Sequence, residues 1–415
     1  MESGTLMRRI LVVLHRWLGL GMALFLFIAG LTGALIAWEQ ELDAWFNPEL
    51  YQSRSQSSAH LDPITLAERV EESEPRLVVT QLPLEVKAGQ SALLSVSGRW
   101  DPSTGEAHEL GYDQLAVDPA TGAPQQRRQW GKFALDRLHL MPFLYRLHYN
   151  LHLPDGFGVN LGIWLMGLCA VVWVVDAFIA IVIAFPRRKS WRKSFAFRFG
   201  KGAYKLNFDL HRSGGVWSWL LMLALAVTAV SMNFSREVVK PIVQLFSPLT
   251  PSPFDQRSES PAEPAGFDRR HILELARADA THLGIQAPPG ALFHAPRRNL
   301  YGVGFFALGA DRGDGGLGNP WLYYDDRTGA PRGQEVPGTG SAGDLFMELQ
   351  FPLHSGRILG VPGRILITFL GLGVALLSVT GIVIWVRKRR AQPQTAPRRA
   401  SSSRRITDMR SVSSG

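Results

Sequence analysis

Four histidines stand at the edges of apolar runs, and they fall into two repeated pairs. His15-Arg16-Trp17-Leu18-Gly19 begins a long hydrophobic stretch, and Thr32-Gly33 follows seventeen residues after the histidine. His211-Arg212-Ser213-Gly214-Gly215 begins another, with Thr228-Ala229 again seventeen residues on. His148 and His354 precede two further runs. A neutral imidazole ligates metals through one ring nitrogen. Two such rings on facing helices are what axially ligated haem requires. Arg16, Arg212, Arg146 and Arg357 stand beside or near the four histidines, each able to pair with a haem propionate through its planar fork. The plain alternative is that interfacial histidines anchor helices or bond lipid headgroups. Zinc or copper has less support, because no cysteine or clustered carboxylate completes a site.

The elements that must hold these residues are membrane spans. Apolar runs near 13–37, 160–185, 214–234 and 363–386 each reach the length of about 20 residues that a bilayer crossing needs. The first is too long for a signal-peptide core, and Trp38-Glu39-Gln40-Glu41 is no small-residue cleavage site, so it reads as a retained helix. Arg8 and Arg9 precede the first run, eight basic residues from Arg187 to Lys205 lie between the second and third, and Arg387-Lys388-Arg389-Arg390 follows the fourth. The positive-inside rule therefore puts both termini and the middle loop in the cytoplasm. Clustering at span ends favours this topology over nucleic-acid binding as the source of the basicity. The single cysteine, Cys169, allows no disulfide within one chain.

The expected organisation is residues 1–38 for the N-terminus and first span, 39–155 for a periplasmic α+β domain and 156–186 for the second span. A basic cytoplasmic loop over 187–210 leads to the third span at 211–235. A second periplasmic domain (236–355), the fourth span (356–390) and a disordered basic tail (391–415) complete the chain. In the first domain Asp62-Pro63-Ile64-Thr65 opens a helix to about Glu72, and strands follow at Leu77–Leu84, Ala92–Gly98 and Gln114–Asp118. In the second a helix runs from Asp268 to about His282, with hairpin strands in Ala291–Ala307 and a strand at Trp321–Tyr324. Thr121-Gly122-Ala123-Pro124 and Thr328-Gly329-Ala330-Pro331 lie 207 residues apart, His148 and His354 206 apart, and His15 and His211 196 apart. So nearly constant an offset indicates an internal duplication of span, α+β domain and span. The fold class expected is an α-helical integral membrane protein, a four-helix bundle carrying two α+β domains.

The span-start motifs resemble the PepSY-associated transmembrane family. The resemblance rests on His15-Arg16-Trp17-Leu18-Gly19-Leu20 with Gly30-Leu31-Thr32-Gly33, on Leu147-His148-Tyr149-Asn150-Leu151-His152, and on Asp209-Leu210-His211-Arg212. Pro352-Leu353-His354-Ser355-Gly356-Arg357 and Ser378-Val379-Thr380-Gly381 add to it. It covers residues 8–390 and is more specific at the span starts than in the α+β domains, which look like PepSY modules. The second span departs from it, with Trp173-Val174-Val175-Asp176 where the fourth keeps Thr-Gly. The family includes inner-membrane ferric-siderophore reductases carrying b-type haem. The resemblance therefore implies two haem b groups, one held by His15 and His211 and one by His148 and His354. The acceptor it implies is a ferric siderophore or other ferric chelate.

Other residues bear on this reading. His152, four after His148, faces the same way if the segment is helical, as an alternative ligand, a supporting contact or a contact to the iron substrate. Asp176 inside a span is expensive, and serves either proton movement or a hydrogen bond from a neighbouring helix. Trp321, Tyr323, Tyr324 and Arg297-Arg298 are candidates for a substrate cleft, whereas His60, His108, His139, His271, His282 and His294 read as ordinary domain residues. Gly302-Val303-Gly304 lies in an expected strand and is no dinucleotide fingerprint, and no Walker loop or hydrolytic triad occurs. Electrons would thus come from a separate cytoplasmic reductase, a small molecule or membrane quinol. The rival functions are transport of a siderophore or haem, and a non-enzymatic regulatory protein anchored by its spans.

Overall fold

The computed structural model describes residues 2–55, 59–186, 188–254 and 266–391. Arg187 and residues 392–415 of the expected basic tail lie outside the described residues. In chain order the main elements of the first half are α1 (Glu2–Ile36), α2 (Pro63–Ser73), β1 (Leu77–Pro83), β2 (Ala92–Gly98), β3 (Gln114–Val117), β4 (Pro124–Arg128), α3 (Leu140–Asn150) and α4 (Leu161–Ala184). The second half has α5 (Ala203–Asn233), α6 (Arg269–His282), β5 (Pro289–Ala295), β6 (Leu300–Phe305), β7 (Trp321–Asp325), β8 (Pro331–Glu335), α7 (Ala342–Ser355) and α8 (Val361–Arg390). Among the described residues, α1, α4, α5 and α8 are long and apolar enough to cross a membrane.

These helices pack around small residues. A Cβ placed on Gly30 would lie 2.5 Å from the Gly371 carbonyl oxygen, and one on Gly371 would lie 2.5 Å from that of Gly30. The backbones of α1 and α8 therefore touch directly, the contact small residues allow between spans. α5 begins at Ala203, ahead of the expected apolar start, and its polar Asp209 and Ser213 bond to the basic loop. Asp209 is fully buried and accepts from the Arg198 backbone N–H at 3.2 Å and Nε at 2.8 Å. Ser213 donates to the Ala196 carbonyl at 2.9 Å, and Ser194 to that of Ala184 at 2.6 Å.

His148 and His354 do not open the spans, as their positions suggested. Each sits near the end of a shorter helix, α3 or α7, laid against α1 or α5. α3 stops because Leu151 and His152 both take left-handed backbone with φ 55°, and α7 stops at Gly356 with φ 74°. The chain then turns back into α4 or α8.

The α+β segments form one sheet rather than two. All eight strands are antiparallel, in the order β8-β7-β6-β5-β1-β2-β3-β4. The halves meet where β1 pairs with β5, Gln81 with Phe293, Leu82 with Leu292 and Pro83 with Ala291. Each half would otherwise present an unpaired edge, and the joint satisfies both. Helices α2 and α6 share one core against a single face, including Ile64, Val70, Leu94, Ile272, Leu292 and Tyr324. Arg269 ties the halves, donating to Glu71 at 2.5 Å and to the Val79 carbonyl at 2.9 Å. The two Thr-Gly-Ala-Pro turns form alike: Asp118 accepts from Ala120 and Thr121, Asp325 from Arg327 and Thr328, and Gly122 and Gly329 follow with φ 78° and 69°.

Two struts hold the sheet on the bundle. In the helix Glu39–Phe46, the buried Asp43 pairs with Arg128 of β4 at 2.7 Å. The buried Arg364 of α8 donates to the Ala37 carbonyl at 2.7 Å and to Glu41 at 2.6 Å, lying over the Trp38 ring. The loop between β6 and β7 descends to the same level, where Arg312 pairs with Glu39 at 3.2 Å and Asp314 with Arg357 at 2.5 Å.

Candidate functional site

The fold brings the four span-edge histidines together as two facing pairs. His148 and His354 have ring centroids 6.2 Å apart on the sheet side of the bundle, and His15 and His211 are 6.1 Å apart toward its basic end. Seventeen residues of α1 separate the levels of His15 and Thr32, roughly 25 Å of helix.

Each imidazole is oriented by the adjacent span. His148 Nδ1 lies 3.0 Å from Thr32 Oγ1, His354 Nδ1 2.9 Å from Thr228 Oγ1, and His211 Nδ1 3.1 Å from Thr380 Oγ1. Every one of these threonines spends its own proton on the carbonyl four residues back: Ile28 at 2.7 Å, Ala224 at 2.9 Å and Leu376 at 2.8 Å. The hydroxyl oxygen is then an acceptor, so the ring must carry its proton on Nδ1. His15 Nδ1 meets an acceptor of another kind, Asp176, at 2.9 and 3.0 Å. All four rings are thereby set in one tautomer, with the Nε2 lone pair free to ligate.

The Thr-Gly pair has a second use. A Cβ on Gly33 would sit 3.0 Å from His148 Cε1, and one on Gly381 3.1 Å from His211 Cε1. Threonine orients the ring and glycine seats it. His354 and His15 lie instead beside Thr228-Ala229 and Asp176-Ala177.

The spacing suits a metal bound between the rings. Half of each separation is about 3 Å, which matches a metal–imidazole bond of about 2 Å plus the roughly 1 Å from ring nitrogen to ring centre. Among the described residues no group of three or more His, Cys, Asp or Glu could hold a metal, so such an ion would draw its other ligands from elsewhere. The sheet-side pair opens on a cavity of about 570 Å³ between the four spans, lined by apolar side chains such as Phe25, Leu26, Met166, Trp173, Leu225 and Val374. Its far end is polar, with Glu39, Arg312 and Arg357. Burial pushes both sheet-side imidazoles down to about 4, with the neighbouring His354 adding to the effect on His148. Burial likewise raises the Glu39 carboxyl, against the pull of Arg312.

A family model described as the PepSY-associated TM region matches residues 12–388. The chain belongs to the PepSY-associated TM family. Comparison with curated proteins finds no match.

Within this family member the other expected site residues are placed as follows. Arg357 lines the cavity, whereas Arg146 donates to the Gly131 carbonyl at 3.1 Å. Arg16 lies over the Trp17 ring, and Arg212 holds the Lys193 carbonyl and lies over Phe208. The helix carrying His148 ends before His152, so the two do not share a face. The His152 ring stacks on Phe143 at 4.4 Å, and its Nε2 donates to the Phe143 carbonyl at 2.9 Å. Tyr323 and Tyr324 point to opposite faces of β7, as neighbours in a strand must. Tyr324 is buried in the helix-side core and donates to Asp279, and Tyr323 donates to Glu335, so the pair does not line a common cleft. Trp321 packs on Phe293 and Phe306, and Arg298 on Phe254. His294 is buried, stacked on Tyr301 and bonded to Asp326.

Sequence reasoning gave no role to Thr32, Thr228 and Thr380, although the seventeen-residue spacing marked the first two. Arg312 carried no signal, since it lies in a glycine-rich loop far along the chain.

Proposed function

We propose that this protein is a di-haem b oxidoreductase of a bacterial inner membrane, passing electrons to a ferric siderophore or other ferric chelate on the periplasmic side. The observation that carries the reading is the pair of imidazole couples at 6.1 and 6.2 Å, each ring set with Nε2 free. His15 with His211, and His148 with His354, would hold the two irons. Haem supplies one-electron redox chemistry when bound.

The chain's own residues do the rest. Thr32, Thr228, Thr380 and Asp176 keep the ligand rings in register, and the apolar walls exclude water. At the polar end of the sheet-side cavity Arg312 pairs with Glu39 and Arg357 with Asp314, and a bound carboxylate would share these cations with those acids. By the positive-inside rule the His15–His211 pair would face the cytoplasm, where a separate reductase or membrane quinol would supply electrons. The joined sheet would then stand in the periplasm. The family membership and the near-constant offsets between the paired histidines support the same reading. Reduction at the outer face would release iron, since the softer ferrous ion is held less firmly by oxygen ligands.

The test is the visible spectrum of detergent-purified protein before and after dithionite, with a pyridine haemochrome count. A b-type spectrum with about two haems per chain, reduced to about one by His15→Ala or His354→Ala, is expected. Stopped-flow oxidation of the reduced protein by ferric chelates would then identify the acceptor. Haem-free protein from haem-replete cells would overturn the reading and favour transport or anchoring.

A further inference from the structure

The four ligand candidates are held by unequal acceptors. Three rings meet neutral threonine hydroxyls, and His15 alone meets a carboxylate. Asp176 is 5% exposed, lies within α4 toward its basic end, and has His15 as its hydrogen-bond partner among the described residues. It holds in α4 the place that Thr380 holds in α8, each beside the ring of a basic-end histidine. The Trp219 indole donates to the next carbonyl, that of Ala177, at 2.8 Å and packs the same level of α4 against α5.

A clamp between α1 and α4 would not need a charge. Threonine performs the same orienting task three times in this chain, while a carboxylate within a spanning helix is costly to bury. What Asp176 adds over threonine is negative charge against the proton-bearing side of the ring. That charge gives the imidazole more imidazolate character, makes Nε2 the stronger donor and favours the higher oxidation state of a metal held there.

We infer that Asp176 is a positioning residue that lowers the reduction potential of the centre held by His15 and His211 below that of the centre held by His148 and His354. This rests on the haem reading. It means that one electron distributed between the two centres resides on the sheet side, leaving the basic-end centre oxidised and ready for the next.

The experiment is a spectroelectrochemical titration of full-length purified protein with its haems counted. Wild type should show two one-electron waves, and His15→Ala should remove the lower one. Asp176→Thr and Asp176→Asn should raise the lower wave by at least a tenfold change in its equilibrium constant, 59 mV for one electron, and leave the upper wave in place. Asp176→Glu should keep the wild-type separation. If the uncharged variants lose the basic-end haem, the reciprocal Thr228→Asp decides, since it should lower the upper wave by a similar factor. Two waves unmoved in haem-replete variants, or a Thr228→Asp protein with an unchanged upper wave, would overturn the inference. Wild-type protein without haem would instead overturn the functional reading on which it stands.

Discussion

Thr228 Oγ1 lies 2.9 Å from His354 Nδ1, on a helix that ends more than a hundred residues before the histidine is reached. The same bond joins Thr32 to His148 at 3.0 Å. Removing such an outer partner commonly lowers metal-site affinity by about 10–100-fold. If haem is held there as proposed, Thr32→Val and Thr228→Val should speed its loss from the sheet-side pair by that order, measured by transfer to excess apomyoglobin. Thr32→Ser should retain it, and any haem at the basic-end pair should be unaffected in all three.

Gly33 and Gly381 seat different rings, so their alanine variants should separate the two sites. Gly33→Ala crowds His148 and Gly381→Ala crowds His211, each from about 3 Å. On the proposed haem reading, the first should deplete the sheet-side haem and the second the basic-end haem, read from the two waves of a redox titration. Loss of both haems in either variant would show that the glycines act on the whole bundle.

Gly371 bears on the packing of α1 against α8. Its added methyl would meet the Gly30 carbonyl at 2.5 Å with no flexible side chain to give way, so α1 and α8 must separate. Overpacking of this kind costs about 1–3 kcal/mol. Gly371→Ala should lower the thermal midpoint in detergent, followed by circular dichroism, by several degrees. Gly373→Ala, with only the mobile end of Met222 at 3.5 Å, should change it little.

Asp43 and Arg128 form a buried pair between the bundle strut and the last strand of the sheet, with the Tyr51 hydroxyl and the Asn47 amide completing the carboxylate's partners. Asp43→Ala strands the guanidinium without an anion, a loss of about 3–5 kcal/mol. Limited proteolysis should then cut between the strut and β1 at rates the wild type does not show. Replacing both residues by leucine should recover much of the resistance, because the desolvated charge goes with its partner.

Much of this fold was legible in the chain. Four apolar runs, basic residues at their ends and Asp-Pro helix starts follow from local composition, and the structure holds α1, α4, α5 and α8 where they were read. The near-constant offsets between His148 and His354, and between the two Thr-Gly-Ala-Pro turns, marked residues that occupy matching surroundings. Less legible was the state of the chain around His148: the residues alone leave open whether the helix continues through His152, and Leu151 and His152 turn left-handed instead. That local backbone choice decides which of His148 and His152 faces His354.

The sequence by itself determined which residues are available and at what depth, because hydrophobic length and charge placement are properties of consecutive residues. It put imidazoles near the start of two spans and shortly before the other two, and a carboxylate inside one span. Only the tertiary structure decided who meets whom. That β1 pairs with β5 to make one sheet, that Arg312 comes down to Glu39, and that Asp176 takes the proton-bearing face of His15 depend on elements far apart in sequence. Such partnerships are set by which backbones approach closely enough for a hydroxyl, a carboxylate or a strand edge to be satisfied away from water. A sequence pattern names the donor or acceptor, and packing chooses its mate.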